Sequence, residues 1–464
     1  MKKNIVYFVL FSINLVLNNT LFSQTIASKR AATLGIGMNL SYLENYWVGT
    51  KANHYGDFLK MSEVMKRKSM IADIAKEGFK TIRMPVCFSA FASIQAPYQW
   101  DYPLGLTATD SLIKWCMNNG LKVIIDLHHP EYNGSIPEAN TIDRKLFLWK
   151  SVAERYKNTD PEKVFFELQN EPHDITAEEW RAEANQLISA VRAIAPRHTL
   201  VVGFHDWNSR EGLLKSEPFD DPNIIYTFHY YDPFIFTHQG ATWTSPEVRD
   251  LRNIPFPSPT DNSTLVVPPS AKGTWVEYNV THYSRYGTPE AIYNALAKAK
   301  DWSVQKNVPI FLGEFGSYSN FADADSRCRH ANAVYDALTA LDIPSAWWEW
   351  NGGFNMFQKG TTALSPCIKT DIGNYVLKTL GLSKTPELTD VDILSNARQD
   401  VFTIKSTGNT VYSAQLINLQ GKSIAKKKLS KKKLTVNKQQ SGTYILKFFD
   451  AKNRIIGYKK VEKP

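Results

Sequence analysis

Between Gly35 and Asn351, short runs of β-branched and aromatic residues alternate with longer stretches whose apolar positions recur at i, i+3, i+4 and i+7. The short runs are "GIGMNL" (35–40), "FKTIRMPV" (79–86), "LKVIIDLHH" (121–129), "KVFFELQNE" (163–171), "TLVVGFHDW" (199–207), "NIIYTFHYY" (223–231), "VPIFLGEFG" (308–316) and "IPSAWWEWN" (343–351). Stretches such as "MKRKSMIADIAKEGF" and "EEWRAEANQLISAVRAIAP" lie between them and predict amphipathic helices. Eight strands separated by helices predict an α/β fold, a (β/α)8 TIM barrel over residues 27–382. The longest insertion, Asp232 to about Tyr286, leaves the C-terminal end of the sixth strand and should therefore lie over the barrel mouth.

After a polar linker at 383–390 the period changes to two. "VFTIKS", "VYSAQLINLQGKSI" and "SGTYILKFFD" alternate apolar and polar residues between glycine turns, which predicts a small all-β, Ig-like sandwich over 391–464. At the other end, Lys2 and Lys3 precede an apolar run from Ile5 to Leu17 and small polar residues around Ser23. That order predicts a secretory signal peptide over residues 1–24, too short in its apolar part to span a bilayer. No cysteine lies near the cleavage zone, which argues against a lipid anchor, and no later run is apolar enough for a transmembrane helix.

Composition adds a globular character, with 43% apolar and 12% aromatic residues. Twelve Trp and 21 Tyr offer flat faces with a polar edge, suited to sugar rings and equally to ordinary core packing. The net charge of +9 is unevenly spread: 17 Lys and Arg face six Asp and Glu from Ser383 onward, which leaves 37 against 39 before it. Basicity therefore belongs to the tail. Its run "KSIAKKKLSKKKL" could contact an anionic surface or nucleic acid, but leucines alternating with charge favour a solvated hairpin. The four cysteines, at 87, 116, 328 and 367, are too few for a disulfide scaffold and lack metal-site spacing. Cys116 sits in a helical pattern as a buried thiol, and export would allow Cys328 and Cys367, both placed in loops, to pair.

Catalytic groups of such barrels project from the C-terminal ends of strands. In "FELQNEP", Glu167 and Glu171 share a strand parity, but Glu167 lies four residues deeper and reads as a buried, paired carboxylate, whereas Glu171 stands at the mouth. Alone, Glu171 would read as a strand-end ion pair. "FLGEFG" places Glu314 at the same height on the seventh strand, and two facing carboxyl groups are what glycosidic hydrolysis requires. One must keep its proton and the other must lose it. Arg83 in "TIRMP" is the cation placed to hold Glu314 ionised, and Asn170 is a neutral donor suited to a sugar hydroxyl. His128, His129, His229 and Tyr231 also fall at strand ends. The histidines raise zinc as a rival, but there is no HxH, HExxH or His–Cys set, so no metal or other cofactor is expected.

In this order, "IRMPV", "IDLHHP", "FELQNEP", "FHYYDPFIFTHQGATW", "FLGEFG" and "AWWEWNGGF" resemble glycoside hydrolase family 5, the retaining endo-β-1,4-glucanase and mannanase barrels, over about residues 33–380. The resemblance implies Glu171 as general acid/base and Glu314 as nucleophile. It implies that Arg83 and Tyr231 tune Glu314, that His128, Asn170 and His229 line the subsite of the sugar being cleaved, and that Trp348 is its stacking platform. Strand parity leaves Trp350 as a competitor to Trp348; the resemblance selects Trp348. Asn39 and Glu44 in "GMNLSYLENYW" are plausible outer sugar contacts, His205 has no assigned role, and Trp207 could stack on substrate or pack in the core. The tail, with "INLQGKSI", "SGTYILKF" and "GYKKVEKP", is similar to type IX secretion sorting domains, though without their usual opening Asn-Pro.

These readings predict a secreted or surface-attached, monomeric, retaining endo-β-1,4-glycanase. Its partners would be a β-linked polysaccharide and, through the tail, a secretion machinery. Cellulose-type or mixed-linkage glucan is the first expected substrate, with mannan or xyloglucan second. A carbohydrate-binding module for the tail and a non-catalytic glycan-binding barrel are the alternatives. The second would not need a complete set of acid, nucleophile and arginine.

Overall fold

The structure is a computed structural model. It describes residues 25–44, 59–129, 140–358 and 361–388, and tail residues 391–396, 401–406, 411–419, 421, 423–429, 433–435 and 442–463. The signal segment read at 1–24 lies outside the described residues. Eight parallel strands close a barrel in sequence order: β1 (Ile36–Asn39), β2 (Thr81–Val86), β3 (Lys122–Leu127), β4 (Val164–Glu167), β5 (Leu200–Val202), β6 (Ile224–His229), β7 (Ile310–Glu314) and β8 (Ser345–Trp347). Each is buried on both faces, which is why the strands read as near-continuous apolar runs. Helices such as Met61–Glu77 and Ala177–Ile194 pack outside; the second starts with a Thr176–Glu179 capping box.

Side-chain alternation divides the barrel interior into layers. The floor is apolar, built from Ile124, Phe165, Val201, Ile225, Phe311 and Ala346, and is plugged by Ala27, Ala31 and Leu34 from the segment that begins with the helix Ile26–Ala31. Two residues further along the strands the layer turns polar: Asn39 pairs in register with Arg83, and Asp126 with Glu167. Such a layer is costly to bury unless its members satisfy one another. Between β6 and β7 the register shifts, so that His229 stands opposite Glu314 and Gly313 becomes the extra residue of a bulge. A Cβ at Gly313 would fall 2.6 Å from Thr227 Oγ1 and 3.1 Å from His229 Nε2, so the close approach there requires glycine.

Several strands end before their apolar runs do. After β4 the chain leaves the ladder and Glu171 takes φ 42°; His129 past β3 has φ 50°, and Asp206, Trp207 and Asn208 past β5 have φ between 52° and 67°. Non-glycine residues in this region are strained, and here they cluster at the rim. The 232–286 insertion forms short helices, Phe234–Thr237, Pro246–Arg249 and Trp275–Thr281, over the mouth as expected. Cys328 and Cys367 are joined, but both lie in helices, Ala324–Leu341 and Pro366–Thr379, rather than in the expected loops. Cys87 and Cys116 are buried thiols outside this disulfide.

The tail forms two antiparallel sheets. One holds β9 (Val391–Asn396), β10 (Val401–Ser406) and β13 (Lys433–Thr435); the other holds β11 (Ser413–Asn418), β12 (Ser423–Lys428), β14 (Gly442–Phe449) and β15 (Ile455–Lys463). The expected linker is not loose: Leu388 N donates to Tyr458 O at 2.8 Å, which ties it to β15. Leu419 and Ile445 join the apolar cluster of the barrel.

Candidate active site

Arg83 is the hub of the polar layer. Its Nε and Nη2 donate to the two oxygens of Glu167 at 2.7 and 2.8 Å, its Nη1 donates to Asn39 Oδ1 at 3.1 Å and Glu314 Oε1 at 2.7 Å, and its Nη2 also reaches Asn170 Oδ1 at 2.8 Å. Asp126 Oδ2 stands 3.0 Å from the same Nη2. Burial works against the guanidinium charge, but Asp126, Glu167 and Glu314 together hold its pKa well above the ordinary arginine value. Asp126 and Glu167 are raised by their own burial, Asp126 to about 7.

Glu314 receives Arg83 on one oxygen and the Tyr231 hydroxyl, at 2.9 Å, on the other. His229 Nδ1 is 2.6 Å from Glu171 Oε1 and 3.6 Å from Glu314 Oε2. An oxygen of Glu171 and one of Glu314 lie within 4.8 Å of each other. Burial pushes both carboxyls up to about 7. Their hydrogen bonds then separate them: Glu314 has a cation and a hydroxyl donating to it, whereas among the described residues Glu171 has only a neutral imidazole at its carboxyl. That difference favours ionisation of Glu314 over Glu171. His229 is held neutral by burial, its pKa brought down to about 4.

His128 is also kept neutral by burial. Because Asn170 Oδ1 is spent on Arg83, Asn170 Nδ2 donates to His128 Nε2 at 3.2 Å, and His128 Nδ1 donates to Asp126 at 2.6 Å. Trp348 lies parallel to the His128 ring at 5.6 Å and lines the cleft, whereas Trp347 and Trp350 are buried in the core. Of these three tryptophans, Trp348 is the one that lines the cleft. Glu44 and His129, 3.0 Å apart, line the same part of the cleft. Trp207 is 51% exposed, stacks on His173 at 3.8 Å and lines the cleft beside Glu171, so it is not a core residue.

Asn39 is a correction. It is fully buried, and its Nδ2 donates to the carbonyls of Gly313, at 3.0 Å, and Trp347, at 3.2 Å. Closure of β8 onto β1 seals it beneath the mouth, where it braces Arg83 and cannot reach an outer sugar. Glu167 is structural as expected, yet only one guanidinium removed from Glu314.

Asp126, His238, Trp243, Tyr318, Glu349 and Phe354 were not singled out from the sequence. Asp126 shares strand parity with His128, which was a usable signal. Burial raises the Glu349 carboxyl to about 8, and its oxygen contacts Ser41 Oγ. Glu44, His128 and His129, and separately Glu171, His229 and Glu314, have spacing that could hold a divalent cation. In both sets the donors are already hydrogen-bonded to one another or to neighbours.

Residues 42–353 match the family model described as Cellulase (glycosyl hydrolase family 5). The chain belongs to glycosyl hydrolase family 5. Residues 396–461 match the secretion system C-terminal sorting domain, which marks this family-5 hydrolase for export and secretion or surface attachment. It is 33% identical over 313 residues to Endoglucanase 3 of Fibrobacter succinogenes, covering 63% of this chain but only 47% of that protein, so it spans about half of that relative. Identity to Endoglucanase C of Acetivibrio thermocellus is 28% over 326 residues, 68% of this chain and 90% of that one. Among solved structures, Cel5A of Thermotoga maritima, crystallised with cellobiose, superposes with a TM-score of 0.59 at 28% identity, covering 74% of this chain and 98% of that chain. Among the described residues no helix of this family-5 chain is long and apolar enough to cross a membrane.

Proposed function

We propose that the protein is an endo-β-1,4-glucanase that retains anomeric configuration, with Glu171 as acid/base and Glu314 as nucleophile. The observation that carries this reading is the pair itself: oxygens within 4.8 Å, one carboxyl tied to Arg83 and Tyr231 and the other to neutral His229. Retaining glycosidases hold their carboxyl groups about 5–5.5 Å apart, and inverting ones about 6.5–9.5 Å.

In the first step a Glu314 oxygen attacks the anomeric carbon as the bond to the leaving oxygen breaks, and Glu171 gives that oxygen its proton. Arg83 and Tyr231 keep the attacking carboxylate ionised and oriented. In the second step Glu171, now a carboxylate, takes a proton from water as the water oxygen displaces Glu314.

The cleft extends to both sides of the pair, which suits cleavage within a chain. One lobe, about 700 Å³, holds Glu314, Trp348 and Glu171; the other, about 580 Å³, holds Glu171 but not Glu314. The lobe reached by the acid alone takes the leaving part of the substrate. Glucan is favoured by the endoglucanase names of the relatives. Mannan is the second reading, because Cel5A of Thermotoga maritima was also crystallised with mannotriose.

Glu314→Gln tests the assignment. Hydrolysis should vanish while oligosaccharide binding, measured by calorimetry, persists; undiminished hydrolysis removes Glu314 from its role. NMR of the first products should show the β anomer, and an inverted product excludes the double displacement. Reducing-end release from a polysaccharide panel separates glucan from mannan.

A further inference from the structure

The lobe that takes the leaving part of the substrate has a side chamber. A cavity of about 310 Å³ adjoins it and shares Arg210, Tyr230, Asp232, Phe234 and Trp275 with it. Beyond these, Asn279 and Tyr286 from the insertion and Ala291 from the helix Pro289–Lys306 line only the chamber. Small-molecule sites run from about 300 to 1,000 Å³, so this one is sized for a single ring rather than a chain.

Its walls have the chemistry of a site for a neutral sugar. Phe234, Trp275 and Tyr286 offer aromatic faces for the apolar side of a pyranose, and Trp275 is 46% exposed. Arg210, Asp232 and Asn279 offer donors and acceptors for its hydroxyls. Two of these groups have hydrogen-bonding capacity to spare. The Arg210 guanidinium donates through Nη2 to Glu211, but its Nε is buried without a hydrogen-bond partner among the described residues. Asp232 accepts a bond from His330 Nε2, at 3.2 Å, only through its main-chain carbonyl; no hydrogen bond from a described residue reaches its carboxylate. A buried donor without a partner is costly, and a ligand hydroxyl would relieve that cost.

An unbranched glucan threading past Glu171 has no substituent to place in such a chamber. We propose that it binds a single pyranose branch carried by a backbone unit on the leaving side of the scissile bond. Branched β-1,4-glucans, of which xylosyl-substituted xyloglucan is the type, are then preferred over linear chains. The proposal rests on the glycosidase reading above and deepens it.

The test compares kcat/KM on a xyloglucan oligosaccharide and on a cello-oligosaccharide of equal backbone length, for the full chain and two variants. Ala291→Phe fills the chamber from a position outside the main cleft, and Asn279→Ala removes a polar group from its far wall. Ala291→Phe should lower kcat/KM on the branched substrate at least tenfold and leave the linear one within twofold. Asn279→Ala, which keeps the proposal testable should the larger residue prevent folding, should move the same ratio in the same direction by a smaller factor. The proposal is overturned if folded variants change both substrates alike or neither, or if the wild type cleaves the linear chain and leaves the branched one intact. A wild type that cleaves neither refutes the glycosidase reading itself, a distinguishable failure.

Discussion

Arg83 carries five N–H donors, and the structure spends them on Glu167, Asn39, Asn170 and Glu314. Lysine has three donors on a tetrahedral nitrogen and cannot hold Glu167 by both oxygens while also reaching Glu314. Arg83→Lys should therefore cost stability, at most the ~3–5 kcal/mol of a broken buried pair, read by denaturant titration. Its effect on pH dependence is more specific. Arg83 lowers the Glu314 pKa against the upward push of burial, so weakening that contact raises it further. Activity needs Glu314 ionised and is lost as pH falls through its pKa; the acid limb of kcat/KM should accordingly move to higher pH in the variant. The wild type also needs Glu171 protonated and should lose activity as pH rises through about 7. The narrow bell that results belongs to the coupled pair rather than to either residue. An acid limb that stays in place in Arg83→Lys would mean that the arginine organises the layer without tuning the nucleophile.

At the scale of elements, the eight strands were legible because a parallel barrel buries both strand faces and leaves β-branched runs in the sequence. Their ends were less so. The apolar runs continue through Glu171 and Trp207, where the chain has already turned left-handed, and periodicity does not record a change in φ. Asn39 was misread for a related reason: what seals it is the pairing of β8 with β1 across the whole barrel, a contact no local pattern encodes. The bulge at Gly313 was equally hidden, although Glu314 could be found without it. The Cys328–Cys367 bond links two helices 39 positions apart, and the unfolded chain loses loop entropy to it. That constraint contributes about 4 kcal/mol on the chain-entropy estimate, an upper figure. A Cys328→Ser, Cys367→Ser double variant should lower the urea midpoint, with m rising somewhat as the unfolded chain expands, and kcat nearly intact because neither cysteine lines the cleft.

For the whole molecule, the question is whether the tail serves only as an address. It docks at the far end of the barrel from the mouth, where Lys80, just ahead of β2, donates through Nζ to Leu419 O at 2.6 Å and Lys447 Nζ donates to Leu380 O at 2.7 Å. Leu419 and Ile445 complete the apolar cover on that side. Burial lowers the Lys80 pKa to about 7, so the contact draws on a lysine whose charge is costly to keep there. Deleting 391–464 therefore uncovers apolar surface without touching Arg83, Glu171 or Glu314. Purified, the truncated protein should keep kcat/KM on soluble polysaccharide within about twofold, since no catalytic contact is lost, while its thermal midpoint falls by a few degrees, about 1 kcal/mol for a domain this large. In cells it should accumulate in the periplasm rather than reach the surface or medium, followed by fractionation and activity assay. Normal export of the truncated protein would remove the sorting role from the tail, and an unchanged midpoint would show that the docking contributes nothing to the barrel.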